Sequence, residues 1–338
     1  MAGHGLVLGK FAPLHRGHQY LIDTALAECG AVTALIYDCP ETTEVPLPVR
    51  SRWLRELYPG LEVLECWDGP LTMGDTPQIQ RLHEDYIRRR LGGRKITHFY
   101  SSEFYGDHVS RALGAVDRRL DPARARFPVS ATMIRDNPFA HRTMLHPRVY
   151  RDLVANVVLL GAPATGKTTL AARLAQEYRA AWMPEYGREY WETHQQDRRL
   201  TPAQLVEIAE GHLAREEAKL AGADRYLFTD TNALTTYIFA LDYHGCAHPR
   251  LAELALQAQS RYDLIFLCAD DIPFDDTWDR SGPGQRTVFQ KRIRADLAER
   301  RLPYVELRGS LAARVARVGE VLGRFHKFAN PLALAPLP

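Results

Sequence analysis

Asn156-Val157-Val158-Leu159-Leu160-Gly161-Ala162-Pro163-Ala164-Thr165-Gly166-Lys167-Thr168-Thr169 runs from an apolar strand pattern through a glycine-bounded loop into a helix carrying Leu170, Leu174 and Ala175. Strand, loop and helix in that order are what Gly-x-x-x-x-Gly-Lys-Thr requires of a Walker A phosphate loop. Backbone N–H groups cradle phosphates, Lys167 reaches the β- and γ-phosphates, and Thr168 holds Mg²⁺. Gly161, Thr165, Gly166, Lys167, Thr168 and Thr169 are therefore candidates for an ATP site. Lysine occurs only at positions 10, 95, 167, 219, 291 and 327, so a lysine inside a motif is informative.

Outward from this loop, short apolar runs alternate with amphipathic helical stretches, the pattern of a parallel sheet flanked by helices. Strands are expected at Val157–Leu160, Tyr226–Thr229, Leu264–Cys268 and Tyr304–Leu307. The second delivers Asp230 to the sheet's C-terminal edge, where a Walker B carboxylate sits; Asn232 equally suits a helix N-cap. Met183–Trp191 mixes acids and aromatics, suited to a nucleoside acceptor bearing a cationic pyridinium. Glu185 and Asp230 both qualify as acceptor of the 5′-hydroxyl proton, with Glu185 favoured, and Tyr186 and Arg188 as contacts to that acceptor. The Gly/Pro-interrupted stretch from Asp275 to Arg286 reads as a lid over ATP, with Arg280 and Arg286 available to neutralise phosphate. His244-Gly245-Cys246-Ala247-His248 fits no usual metal spacing.

The same alternation occurs earlier, with strands expected at Leu6–Leu8, Val32–Tyr37, Leu61–Cys66 and Ile96–Ser101. After the first of these comes Gly9-Lys10-Phe11-Ala12-Pro13-Leu14-His15-Arg16-Gly17-His18, opening a helix at the edge where open α/β sheets bind ligands. Gly9 and Gly17 permit close backbone approach, the helix start offers free N–H groups, and His15 and His18 lie three apart on one face. Such a pattern arises by chance in this composition on the order of once in 10⁵. Later, Ser130 caps a helix start and Thr132 and Arg135 follow, Arg135 being a forked cation for phosphate. Trp53 or Trp67 is expected to stack on an acceptor ring. A boundary is expected near residue 152, giving domains at 1–151 and 152–328 and a tail at 329–338. Arg88-Arg89-Arg90 and Arg118-Arg119 read as solvated helix faces. The fold class is thus α/β, with two doubly wound parallel-sheet domains.

Composition narrows the classes. The formal net charge is +2, so no global field draws the chain to nucleic acid or to an anionic membrane, and neither is expected as a partner. Cys29, Cys39, Cys66, Cys246 and Cys268 are odd in number and scattered, which argues against a disulfide framework. No run approaches the roughly 20 apolar residues of a membrane span, and no signal peptide is evident. A cytoplasmic protein is expected. Oligomeric state is not written in the sequence, and a homo-oligomer is compatible with it.

The histidine segment resembles the signature of the nucleotidyltransferase superfamily that includes nicotinamide mononucleotide (NMN) adenylyltransferases. In that family the histidines contact ATP phosphates and no covalent enzyme intermediate forms. The resemblance implies those roles for His15 and His18, with Lys10 a further phosphate contact and Gly9, Phe11, Gly17, Ser130, Thr132 and Arg135 around them. Both motifs in this order, with Ser130-Ala131-Thr132-Met133-Ile134-Arg135 between them, resemble the bifunctional NadR family of NMN adenylyltransferase and ribosylnicotinamide kinase. What this implies is a Rossmann-like nucleotidyltransferase followed by a P-loop kinase, with ATP, NMN, N-ribosylnicotinamide and NAD as partners and Mg²⁺ as cofactor. Enterobacterial members carry an N-terminal helix-turn-helix domain. Here eight residues precede Gly9, and no specific DNA binding is expected. Two other readings compete: one half catalytic with the other a nucleotide-sensing module, or a P-loop signalling or repair ATPase.

Overall fold

A computed structural model describes residues 3–72, 74–195, 200–273 and 283–329. The chain divides into two compact units, Met1–Tyr150 and Arg151–Pro338.

In the first unit the order is β1 (His4–Gly9), α1 (Arg16–Glu28), β2 (Ala31–Tyr37), α2 (Leu47–Leu57), β3 (Leu61–Cys66), α3 (Pro77–Leu91), β4 (His98–Ser101), α4 (Gly106–Leu113), β5 (Val116–Arg119), α5 (Ala131–Asp136) and α6 (Pro147–Leu153), the last containing the division. All pairings are parallel, in the spatial order β3-β2-β1-β4-β5. The winding therefore reverses beside β1, and the segment leaving β1 opens at the switch point where such sheets bind ligands. Leu6, Leu8, Leu35, Cys66, Ile87 and Phe99 form a core on one face. Each buried aliphatic side chain contributes roughly 1.5–3 kcal/mol.

The second unit contains β6 (Ala155–Leu160), α7 (Lys167–Tyr178), β7 (Ala181–Met183), α8 (Tyr186–His194), α9 (Pro202–Leu220), β8 (Tyr226–Asp230), α10 (Ala233–His244), α11 (Pro249–Ala258), β9 (Leu264–Cys268), α12 (Pro283–Glu299), β10 (Val305–Leu307) and α13 (Leu311–Leu322). Its sheet is also parallel, ordered β10-β9-β6-β8-β7. Central β6 is buried on both faces: Val157 and Leu159 join one core, Val158 and Leu160 the other. That is why its sequence is a continuous apolar run rather than an alternating one.

Two differences from expectation are local. Val116-Asp117-Arg118-Arg119 forms edge strand β5, so Arg118 and Arg119 are not on a helix face. With one apolar residue it carries no strand pattern; pairing to β4 holds it, and Glu28 and Asp117 take up the two guanidinium groups at 2.5 and 2.8 Å. The expected Ile96–Ser101 strand starts at His98, with Ile96 packed in the core just before it. Among the described residues, no helix is long and apolar enough to cross a membrane.

Candidate functional sites

In the first unit, Gly9 ends β1 and the chain turns through Phe11, at φ 45°, into α1. His15 caps this helix: its Nδ1 accepts the Gly17 N–H at 3.1 Å, while His18 Nδ1 accepts the His15 N–H at 3.4 Å. Both Nδ1 atoms being acceptors, each ring carries its proton on Nε2. The rings stack at 3.8 Å, and Phe11 packs edge-on against His18 at 5.0 Å. A Cβ on Gly17 would stand 3.0–3.1 Å from the His15 imidazole, so glycine keeps that ring in place. Burial, then the charge of Arg124, lowers the His15 pKa to about 4. Burial, His15 and Arg124 hold His18 well below its ordinary value, partly opposed by a hydrogen bond from its ring to the Pro13 carbonyl, which phosphate must displace. The pair is therefore neutral at pH 7, with two N–H donors.

Arg135 ties α5 to this segment, donating to the Ala12 carbonyl at 2.7 Å and to Thr132 Oγ1 at 3.0 Å, while Ser130 Oγ caps α5 through Met133 N–H. Lys10 Nζ lies 2.9 Å from both Glu41 and Thr42 across the end of β2, and holds the Glu41 carboxyl down at about 2. Trp53 is a correction: at 0% exposure it belongs to the core, where no ligand reaches it. Trp67 is 58% exposed, its indole N–H donating to Glu65 at 3.1 Å. Two arginines escaped the sequence reading. Arg124 had no distinguishing local pattern. Arg50 is buried on α2 and donates to the carbonyls of Lys10, Tyr37 and Val45, pinning the ends of β1 and β2.

In the second unit the loop after β6 bends through Gly161 (φ 147°), Ala164 (φ 59°) and Gly166 (φ 79°). A Cβ on Gly161 would lie 2.7 Å from the Cys268 carbonyl. Lys167 is buried, its Nζ donating to the Ala162 carbonyl at 3.0 Å; Thr165 Oγ1 donates to the same oxygen at 2.8 Å. Thr169 lines the cavity in front of the loop. Behind the loop, Gln290 Oε1 accepts the Ala162 N–H at 2.8 Å and Arg314 donates to the Thr165 carbonyl at 2.6 Å. Arg314 was not singled out in the sequence, although it stands at the spacing of buried Val318 and Leu322 on α13, a cation at a core position that could have marked it.

Asp230 ends β8, and Thr168 Oγ1 donates to its Oδ2 at 2.5 Å, while Oδ1 is sealed from solvent with no partner. Burial and then the Glu185 charge raise its pKa to about 6, opposed by Lys167, Thr168 and Arg188. A buried carboxylate oxygen without a partner, beside a hydroxyl, is a donor set suited to a hard divalent cation.

From this point a cavity of about 580 Å³ extends along Glu185, Arg188, Trp191 and His212 on one side and Asn232, Thr235, Phe239 and Tyr243 on the other. Arg188 and Glu185 stand 3.9 Å apart. Tyr186 is a correction, since its ring faces α9 instead of the cavity: Arg215 lies over it at 3.9 Å and a Cβ on Gly211 would strike it. Trp191, five residues and about 1.4 helical turns further on, faces the other way and does line the cavity. Arg286 is another, being buried with its guanidinium on the carbonyls of Asp270 and Ile272. Arg280 and most of the expected lid lie outside the described residues. His244 Nε2 contacts the Leu200 carbonyl and His248 caps α11, so neither ring faces the other as a metal pair would.

Comparison with known proteins follows the same division. Residues 156–314 match a family model described as an AAA domain. The trifunctional NAD biosynthesis/regulator protein NadR of Escherichia coli (strain K12) is 27% identical over 322 residues, covering 90% of this chain and 78% of that protein. Its counterpart from Salmonella typhimurium (strain LT2) is 26% identical over 323 residues, with the same coverage. A crystal structure of NadR protein in complex with NAD and AMP-PNP superposes with a TM-score of 0.56 at 24% identity, covering 96% of this chain and 97% of that one. With likeness running through both units in sequence and in fold, the chain is a homologue of the NadR proteins.

Proposed function

We propose that the chain is a bifunctional enzyme of NAD synthesis: the second unit phosphorylates N-ribosylnicotinamide with ATP to NMN and ADP, and the first joins NMN and ATP into NAD and pyrophosphate. We assign the adenylyltransferase to residues 1–151 and the kinase to 152–328. The relatives named for NAD biosynthesis support this reading, as do neighbours whose crystals hold NAD, AMP-PNP and NR. The observation that carries it is the Thr168–Asp230 pair, with its unpartnered carboxylate oxygen, at the phosphate-loop end of a cavity that Thr168 lines and that reaches to an aromatic wall.

In the second unit Lys167 leaves the Ala162 carbonyl for the β- and γ-phosphates, and loop N–H groups hold the rest. Thr168 and Asp230 are the residues that would hold Mg²⁺, which supplies charge neutralisation between the phosphates. Asp230 being engaged there, Glu185 is the acceptor of the 5′-hydroxyl proton, with Arg188 beside it. Trp191 and Tyr243 replace Tyr186 as the aromatic faces for the cationic ring. In the first unit the Nε2–H donors of His15 and His18, with Arg135 and Lys10, receive the triphosphate while the NMN phosphate attacks in line. Lys10 must exchange Glu41 for phosphate, and Trp67 is the aromatic available to the nicotinamide ring.

The test follows ADP and pyrophosphate separately in the purified chain. His18→Ala should abolish NAD formation while sparing NMN formation, and Lys167→Ala should do the reverse. Loss of both activities from either change in a folded protein refutes two independent sites, and absence of both from the unaltered chain refutes the function.

A further inference from the structure

Nine buried side-chain polar atoms among the described residues lack a hydrogen-bond partner, and four gather at one place: Asp230 Oδ1, Asn232 Nδ2, Thr235 Oγ1 and His212 Nε2. Buried polar atoms are ordinarily paired, so such a cluster marks where a ligand's polar groups belong. Asp230 is accounted for by the cation. The other three residues are each more than nine-tenths buried and line the cavity.

Asn232 caps α10, its Oδ1 accepting the N–H groups of Leu234 and Thr235 at 3.1 and 3.4 Å, so that only its Nδ2 donors remain to spend on a ligand. Thr235 Oγ1 both donates and accepts. Burial lowers the His212 pKa to about 4, leaving at neutral pH a ring with one donor and one acceptor, and its Nε2 stands 3.8 Å from Glu216. Resting on the kinase reading above, we propose that Asn232, Thr235 and His212 form a sugar-reading wall that binds the 2′,3′-diol of a ribonucleoside acceptor. A diol needs donors for its oxygens and acceptors for its hydrogens, and this trio offers both.

Position decides between the sugar and the ring carboxamide. Asn232 lies two residues beyond Asp230, beside the phosphoryl-transfer point. Along the cavity face of α10, Phe239 and Tyr243 follow Thr235 by about 6 and 12 Å at 1.5 Å per residue. A nucleoside with its 5′-oxygen at Asp230 and Glu185 sets its furanose hydroxyls at the Asn232–Thr235 level and its base one turn or more further out, among the aromatics.

The experiment measures kcat/KM with ATP for ribosylnicotinamide and its 2′-deoxyribosyl and 3′-deoxyribosyl counterparts, using the full chain. A site built to bond a hydroxyl rejects the analogue lacking it, so the unaltered chain should prefer the riboside by about 10²-fold or more. Thr235→Val, His212→Phe and Asn232→Ser, the last preserving the helix cap, should each compress at least one of the two ratios to below about tenfold by losing activity on the riboside. Their ATP-induced thermal shift should persist, which separates misfolding from lost recognition. Both ratios unchanged in all three overturn the proposal, as does a change in preference between carboxamide and carboxylate rings in their place. Adenosine, cytidine and uridine with their 2′-deoxy forms are run alongside. If one of these is phosphorylated and ribosylnicotinamide is not, the acceptor assignment fails while the sugar wall is judged on that pair; turnover of no nucleoside overturns both.

Discussion

Replacing Asp230 by Asn should stabilise the second unit while abolishing its kinase activity. The carboxylate sits at 0% exposure with one oxygen unpartnered, and burial reinforced by Glu185 lifts its pKa from 3.8 to about 6. The folded state thus binds a proton more tightly than the unfolded chain, and stability falls as pH rises through that interval. Integrated, the ionised group costs about 1.5 kcal/mol at pH 5 and about 3 kcal/mol at pH 8, fading to nothing below about pH 3. Asn keeps an oxygen for the Thr168 hydroxyl and carries no charge, so the variant should gain that amount, more at pH 8 than at pH 5. Calorimetry at the two pH values, following the transition that moves with ATP and Mg²⁺ in the unaltered chain, reads this as several degrees of Tm. A variant less stable at pH 8, or a gain that ignores pH, would refute the claim that this carboxylate is held in place at the expense of stability.

Gly161→Ala should weaken ATP binding in the second unit more than tenfold, since it places a Cβ 2.7 Å from a backbone carbonyl at a φ of 147°; equilibrium titration of a fluorescent ATP analogue reads it, and near-normal affinity would show the loop to be adaptable. ATP binding to the first unit at about pH 6 should take up protons, because triphosphate raises the pKa of histidines that burial and Arg124 have lowered. Titration calorimetry of Lys167→Ala in buffers of different ionisation enthalpy measures this, and a buffer-independent enthalpy contradicts it. Trp53→Ala should destabilise the first unit by about 3–5 kcal/mol through the cavity it leaves, whereas Trp67→Ala should raise the KM for NMN with little change in Tm; equal effects on Tm would remove the distinction between core and site.

The elements that were legible in advance share a cause. β6 and β1 are central strands, buried by neighbours on both sides, and therefore written as apolar runs. The loop after β6 needs glycine for conformation and the turn after β1 needs it for space, and each carries Lys or His for the phosphates, which leaves a pattern dense enough to read. β5 was illegible because an edge strand with a single apolar residue owes its conformation to pairing with β4. Within the sites, the choice between Trp53 and Trp67 and the displacement of Tyr186 by Trp191 turned on side-chain direction. Aromatics of equal chemical aptitude stand near one another in sequence, and one face of a helix meets the core while another meets the cavity. Arg286 reads as a phosphate ligand by composition, yet it is buried and its Nη2 donates to two backbone carbonyls.

Two parallel α/β units and two phosphate-binding turns were determined by the chain alone, since hydrophobic periodicity and glycine placement are local properties. Tertiary structure alone decided that the two histidines are neutral, that Asp230 keeps a bare oxygen, and which wall of the cavity meets a ligand. Those are matters of desolvation and of partners distant in sequence, such as the α9 residue His212 facing Asn232 and Thr235 of the α10 segment around one cavity.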